Sequence, residues 1–207
     1  MIDYYSIENR VSNSFLSEFK KTITGEASFK NPEALRFGSG LHCMLLEPHL
    51  FNANDYAGKD RMKMMYMVAS IRQNTDPKYL VGEKEMEYLY DYLDFPCKLK
   101  ADIVGDDFVV DVKTTAATSM EAFMEQALKY DYHRQAAWYL DCPLINASRF
   151  VFVAVSKASP FEVFTWELDR NDLIIETGRE EYRYLLEKIK SDEALCARFR
   201  LQKELTL

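Results

Sequence analysis

Apolar and polar positions change their rhythm about a third of the way along the chain. Up to about residue 75 the apolar positions fall at helical spacing. Ser12 ahead of "NSFLSEFKK" predicts a short capped helix. A polar stretch with Gly25, Asn31 and Pro32 reads as a loop. "NPEALRFGSGLHCMLLEPHLF" then predicts a helix from Pro32, capped by Asn31 and ending near Pro48. Gly38 and Gly40 lie inside it, although glycine weakens a helix interior by roughly 0.5–1 kcal/mol. Their presence predicts a close approach by another backbone or by a ligand. "DRMKMMYMVASIRQN" predicts a further helix, with Met64, Met65, Val68 and Ile71 as its core-facing stripe.

Beyond residue 80 the period shortens. "EKEMEYLYDYL" and "KLKADIV" alternate, and "DFVVDVKTT" is nearly continuous apolar, with Asp94, Pro96, Gly105 and Asp106 in the turns between. Three strands in an antiparallel meander are expected. Thr118 followed by Glu121 is a capping-box pattern for a helix to about Lys129. Asp131 is placed to cap a second helix, "YHRQAAWYL", ending before Pro143. "RFVFVAVS" and "FEVFTWEL" read as two more strands joined by "KASP". A long helix with Tyr182, Leu185, Leu186 and Ile189 on one face follows. The sum is an α/β fold, a mixed sheet flanked by helices. One domain over 1–207 is expected, with a helical part at about 12–75 and an α/β core at about 80–190.

The chain has 207 residues, about half of them apolar, enough for a substantial core. No run of eighteen or more apolar residues appears, and the N-terminus lacks a basic segment leading into an apolar one. A soluble cytoplasmic protein with no membrane partner is the expectation. The four cysteines, Cys43, Cys97, Cys142 and Cys196, are scattered singly and read as reduced, mostly core thiols. A formal charge of −7 argues against a surface coated for nucleic acid. It leaves room for a local basic groove, to which Lys20 or the cluster Lys59, Arg61 and Lys63 would contribute, although such clusters are more often solvated faces.

"DFVVDVKTT" carries the chemistry. Asp111 and Lys113 sit two apart at the end of an apolar strand and so share a face, roughly 6–7 Å apart along the chain. Charges there must pair or bind a metal; a structural ion pair is one reading and half of an active site is the other. A hairpin across "VGDD" brings Asp102 beside Asp111, and Glu85 with Glu87 lies on the strand before. Converging carboxylates repel unless a cation joins them. Mg²⁺ takes such oxygen ligands, and a neighbouring lysine suits phosphodiester hydrolysis.

Asp102 on one strand, then Asp111-Val112-Lys113 on the next, resembles the signature of the PD-(D/E)XK nucleases. "FGSGLHCMLLEPHLF", "PCKLKADIVGDDFVVDVKTT", "YDYHRQAAWYL" and "FVFVAVSKASPFEV" resemble, in order, the motifs of the RecE-type, exonuclease VIII-like branch, from about Ser12 to Leu186. The resemblance implies a restriction-endonuclease-like core and a Mg²⁺-dependent deoxyribonuclease, with Mn²⁺ as a substitute. It implies His42, Asp102, Asp111 and the carbonyl of Val112 as metal ligands and Lys113 as the catalytic lysine. Glu85 falls where the family has a first-strand acid, with Glu83 or Glu87 as alternatives. Gln135, Tyr139 and Tyr132 match the residues beside the site that touch DNA, and Lys100 stands where an arginine is usual, which weakens a phosphate contact.

The same resemblance implies digestion of linear duplex DNA from its 5′ ends, a ring-shaped homo-oligomer, and a single-strand-annealing recombination partner. The scattered cysteines do not fit the iron–sulfur cluster of some relatives, so none is expected. Rival readings are a catalytically weak module that binds DNA or a partner, and an endonuclease or single-strand-specific nuclease. His49 and His133 read as surface residues, Trp138 and Trp166 as core.

Overall fold

The computed structural model describes residues 4–27 and 31–199; part of the expected loop before Asn31 and both ends of the chain lie outside them. One five-stranded sheet runs β1 (Glu83–Tyr92), β2 (Phe95–Val104), β3 (Phe108–Thr115), β4 (Arg149–Ser156) and β5 (Val163–Asp169), in that spatial order. β1, β2 and β3 form the antiparallel meander expected, β3 and β4 pair in parallel, and β5 returns antiparallel. A parallel pair needs a crossover, here made by α4 (Met120–Lys129) and α5 (Tyr132–Leu140). The remaining helices are α1 (Asn13–Thr24), α2 (Pro32–Leu46), α3 (Gly58–Asn74), α6 (Leu173–Lys190) and α7 (Glu193–Phe199).

Strand alternation sorts the core into two layers. Phe150, Phe152 and Ala154 of β4 pack with Leu16, Phe123, Trp138, Tyr182 and Leu185 from α1, α4, α5 and α6. Val151, Val153 and Val155 pack with Leu41, Leu45, Met64, Val68 and Ile71 from α2 and α3. Each such side chain, fully buried, contributes about 1.5–3 kcal/mol. β4 is buried on both faces, which is why it reads as a continuous apolar run.

Several local expectations shift. The buried stripe of α3 is Met64, Met67, Val68 and Ile71, while Met65 is 51% exposed; Met67 precedes Val68 on the turn that meets the sheet layer. α4 is capped by Ser119, whose hydroxyl accepts the Ala122 N–H, rather than by Thr118. Asp131 precedes α5 in a left-handed conformation and makes no side-chain cap; its carboxylate goes to Lys20 and Arg134 instead. Gly40 faces the Tyr56 ring, which a Cβ would meet at 2.6 Å, and Gly38 faces open space. The expected backbone approach is found at neither: a side chain accounts for Gly40, and no described neighbour accounts for Gly38. All four cysteines are free, three of them buried. No described helix is long and apolar enough to cross a membrane.

Candidate active site

Three acids line up across three strands. In the β1–β2 register, Lys84 pairs with Ile103 and Met86 with Ala101, so Glu85 faces Asp102 between them. In the β2–β3 register, Ile103 pairs with Val110 and Val104 with Val109, which sets Asp102 against Asp111. The β2–β3 ladder ends at that row, whereas the β1–β2 ladder skips the Glu85–Asp102 pair and resumes at Met86–Ala101. Glu85 adopts a left-handed backbone with φ 54°, a conformation uncommon for a residue with a Cβ. β2 also changes sides there: Ala101 packs in the α5 layer and Ile103 in the α2 layer. Opposed carboxylates repel at ladder spacing; β2 and β3 part where Asp102 meets Asp111, and the β1–β2 ladder is broken for the one pair that holds Glu85 and Asp102.

The opening is held by specific partners. Asp102 Oδ2 accepts the Val112 N–H at 2.6 Å, and Asp102 Oδ1 lies 3.4 Å from His42 Nδ1 on α2. Asp111 is 5% exposed; its Oδ2 lies 2.6 Å from Lys113 Nζ, and its Oδ1 accepts from Gln135 Nε2 on α5 at 2.5 Å. Lys113 Nζ also sits 4.8 Å above the Tyr132 ring. Glu85 Oε2 pairs with Lys100 Nζ at 2.9 Å, and Glu87 approaches the same ammonium at 3.7 Å. Tyr139 donates its hydroxyl to the Lys100 carbonyl at 2.8 Å.

The two aspartates are driven in opposite directions. Burial raises both; at Asp102 the charges of His42 and Lys113 and the Val112 N–H outweigh it, and the carboxyl falls below its usual range. At Asp111 burial prevails over Lys113, with Asp102 adding its repulsion, and the carboxyl rises. Burial lowers the His42 imidazole, but Asp102 beside it lifts the value to about 9. The Lys113 ammonium is likewise held by Asp111 against the pull of burial.

One ligand atom from each of His42, Glu85 and Asp102 lies within 4.8 Å of the others. An imidazole nitrogen and two carboxylate oxygens at that spacing, with Asp111 across the row, fit a divalent cation that prefers oxygen and accepts histidine. Of the three glutamates on β1, geometry brings Glu85 into this group. Gln135 and Tyr139 are 8% and 9% exposed and turn their polar ends to Asp111 and to β2.

Other residues near the site escaped the sequence reading. A cleft of about 140 Å³ beside Lys113 is lined by Ser12, Ser14, Lys98, Gln135 and Tyr139 among others. The "SNS" at the start of α1 signals only a cap in sequence; the tertiary fold carries it to the strand of Lys113. His133 is not a surface residue. It is 9% exposed, and its Nε2 lies 3.1 Å from Glu181. With Asp131 and Glu181 it forms a second group of metal-ligand type, but Lys20 and the fully buried Arg134 already bind both carboxylates. That cluster ties α1, α5 and α6 together. Trp138 and Trp166 are buried and His49 is exposed, as expected.

Residues 13–194 match the family described as a PDDEXK-like domain of unknown function (DUF3799). The solved structure of a candidate exonuclease from Eubacterium rectale aligns with a TM-score of 0.70 at 13% identity, over 90% of this chain and 82% of that one. An alkaline exonuclease from Laribacter hongkongensis and a phage-related exonuclease from Haemophilus somnus each align with a TM-score of 0.48 at 13% identity. They cover 95% and 88% of this chain, and 93% and 86% of their own. No curated protein matches. The mixed sheet, the paired layers and the match along most of the chain agree: this protein belongs to the PDDEXK-like family and has its restriction-endonuclease-like fold.

Proposed function

We propose that the protein is a Mg²⁺-dependent deoxyribonuclease that hydrolyses phosphodiester bonds at the ends of linear duplex DNA, 5′ to 3′, in recombination. The observation that carries the hydrolytic reading is the row of Glu85, Asp102 and Asp111, with His42 on one side and Lys113 on the other. His42, Asp102, Asp111 and the Val112 carbonyl would hold the metal, with Glu85 beside them. When bound, such an ion acts as a Lewis acid on the phosphoryl oxygens and lowers the pKa of a bound water.

The protein's own groups do the rest. Lys113 places an ammonium where negative charge grows on the phosphoryl group, and its contact with Asp111 and the Tyr132 ring fixes its position. Gln135 orients Asp111. The Val112 N–H orients Asp102. Lys100 pairs with Glu85 and so steadies that acid, and its ammonium would offer DNA a single-point contact. Tyr132 and Tyr139 complete the wall, one under the lysine and one against β2.

Direction, duplex preference, a ring-forming homo-oligomer and an annealing partner rest on the sequence resemblance; a cytoplasmic setting and a single domain over 1–207 rest on the length and composition of the chain. The shared fold of the Eubacterium rectale protein, itself described as a candidate exonuclease, is consistent with that reading.

The test is digestion of end-labelled linear and circular duplex and of single strands, with Mg²⁺, Mn²⁺ or chelator, beside Lys113→Ala. Metal-dependent loss of nucleotides from 5′ ends, absent in the variant, is expected. Linear DNA left intact by folded protein under every condition would overturn it in favour of a binding module. Cutting of circles would make it an endonuclease.

A further inference from the structure

A cleft of about 520 Å³ opens between the first turns of α2 and α3 and the turn after β4, apart from the acidic row. Arg36 of α2, Lys59 and Lys63 of α3, and Lys157 line it. Among the described residues none of the four makes a salt bridge, which is unexpected in a chain of net charge −7. Two aromatic rings hold three of these cations instead. Lys63 and Lys157 approach the Phe37 ring at 5.9 and 5.8 Å, and Arg36 approaches Tyr56 at 5.4 Å. Glu33 and Asp60 are also in the lining, each in the first turn of its helix, where a carboxylate complements the helix dipole. The lining keeps an excess of two positive charges.

Burial and the nearby Lys63 both lower the Lys157 pKa, as expected for two ammonium groups brought together without an anion. Lys157 is anchored to the sheet, its N–H donating to the Thr115 carbonyl at 2.7 Å at the end of the strand that carries Lys113. On α2, Phe37 precedes His42 by five residues, about 7.5 Å along the axis at 1.5 Å per residue. Gly38 shares the His42 face, four residues before it, and nothing lies within 4 Å of where its Cβ would be. The helix surface between cleft and acidic row is therefore clear.

We propose that this cleft holds the phosphodiester backbone of one DNA strand next to the acidic row, with Lys63, Lys157, Lys59 and Arg36 as its phosphate contacts. The inference rests on the nuclease reading above and adds the track along which the strand lies. Cations pre-placed by aromatic rings suit sequence-independent contact with phosphates, and a cleft of about 520 Å³ seats a segment of one strand's backbone.

The experiment compares wild type with Lys63→Gln/Lys157→Gln and with a control pair on exposed helix faces, Lys129→Gln/Lys188→Gln. Binding of a fluorescein-labelled single strand is followed by anisotropy in chelator across a salt series. Hydrolysis of duplex DNA and of bis-(p-nitrophenyl) phosphate, which is too small to reach the cleft, is followed with Mg²⁺. The cleft variant is expected to bind the strand about tenfold more weakly. Its slope of log K against log salt should be shallower by about 1.4, two phosphates at about 0.7 each. Its hydrolysis of the small ester should be unchanged.

Strand binding and DNA digestion equal to wild type would overturn the cleft and leave the nuclease reading standing. A wild type that hydrolyses neither substrate would overturn the nuclease reading and this inference with it. If the variant keeps its DNA affinity and loses only affinity for a polyglutamate peptide, the cleft belongs to an acidic protein partner and the DNA assignment fails.

Discussion

Asp102 Oδ2 accepts the Val112 N–H at 2.6 Å, so a β2 side chain bonds a β3 backbone donor at the place where the ladder between the strands has ended. The acid replaces the strand pairing it interrupts. A buried donor left without an acceptor loses about 1–3 kcal/mol, which makes Asp102 part of the fold as well as of the site.

Asp102→Asn keeps an acceptor oxygen for Val112 and loses the charge. It should fold, lose less stability than Asp102→Ala, and show at least a hundredfold loss of hydrolysis. Asp102→Ala should lose both activity and about 1–3 kcal/mol. Urea melts beside a digestion assay check the split; equal stability of the two variants would refute the structural half.

Gln135 supports Asp111 from the opposite side to Lys113. Partners that orient a metal-binding carboxylate typically affect affinity or activity by about 10–100-fold. Gln135→Leu should therefore raise the Mg²⁺ concentration for half-maximal activity by that range. A change confined to DNA affinity would instead make Gln135 a DNA contact.

Two helix glycines should respond with opposite sign. At Gly178 a Cβ would collide with the His133 backbone carbonyl where α6 crosses α5, so Gly178→Ala should destabilise by about 1–3 kcal/mol. Gly38 has open space around it, so Gly38→Ala should stabilise by about 0.5–1 kcal/mol. Chemical denaturation of both variants measures this directly.

Glu181 bears on acid stability. Burial would raise its carboxyl, but the hydrogen bonds from His133 and Lys20 and the charge of Arg134 bring it from 4.5 down to about 2. A depressed carboxylate contributes stability in full above its unfolded value and loses it as pH falls through its folded value. The advantage of wild type over Glu181→Gln should be constant above pH 4.5 and vanish between 4.5 and about 2. An advantage that persists at the acid end would show that packing, not charge, makes the difference.

The sequence by itself determined the elements and their chemistry. β4 ran as "RFVFVAVS" to the residue, and the buried face of α6 was legible from Tyr182, Leu185, Leu186 and Ile189. Asp102, Asp111 and Lys113 stood out because charge inside an apolar strand is expensive, and that expense is visible in one dimension. The tertiary structure decided which groups share those charges. His133 looked solvated until α6 supplied Glu181, and Asp131 looked like a cap until α1 supplied Lys20. Glu85 could be preferred over Glu83 and Glu87 only once the register set it opposite Asp102. A strand's period says which face a residue takes; which partners wait on that face depends on segments dozens of residues away, brought there by the packing of the whole core.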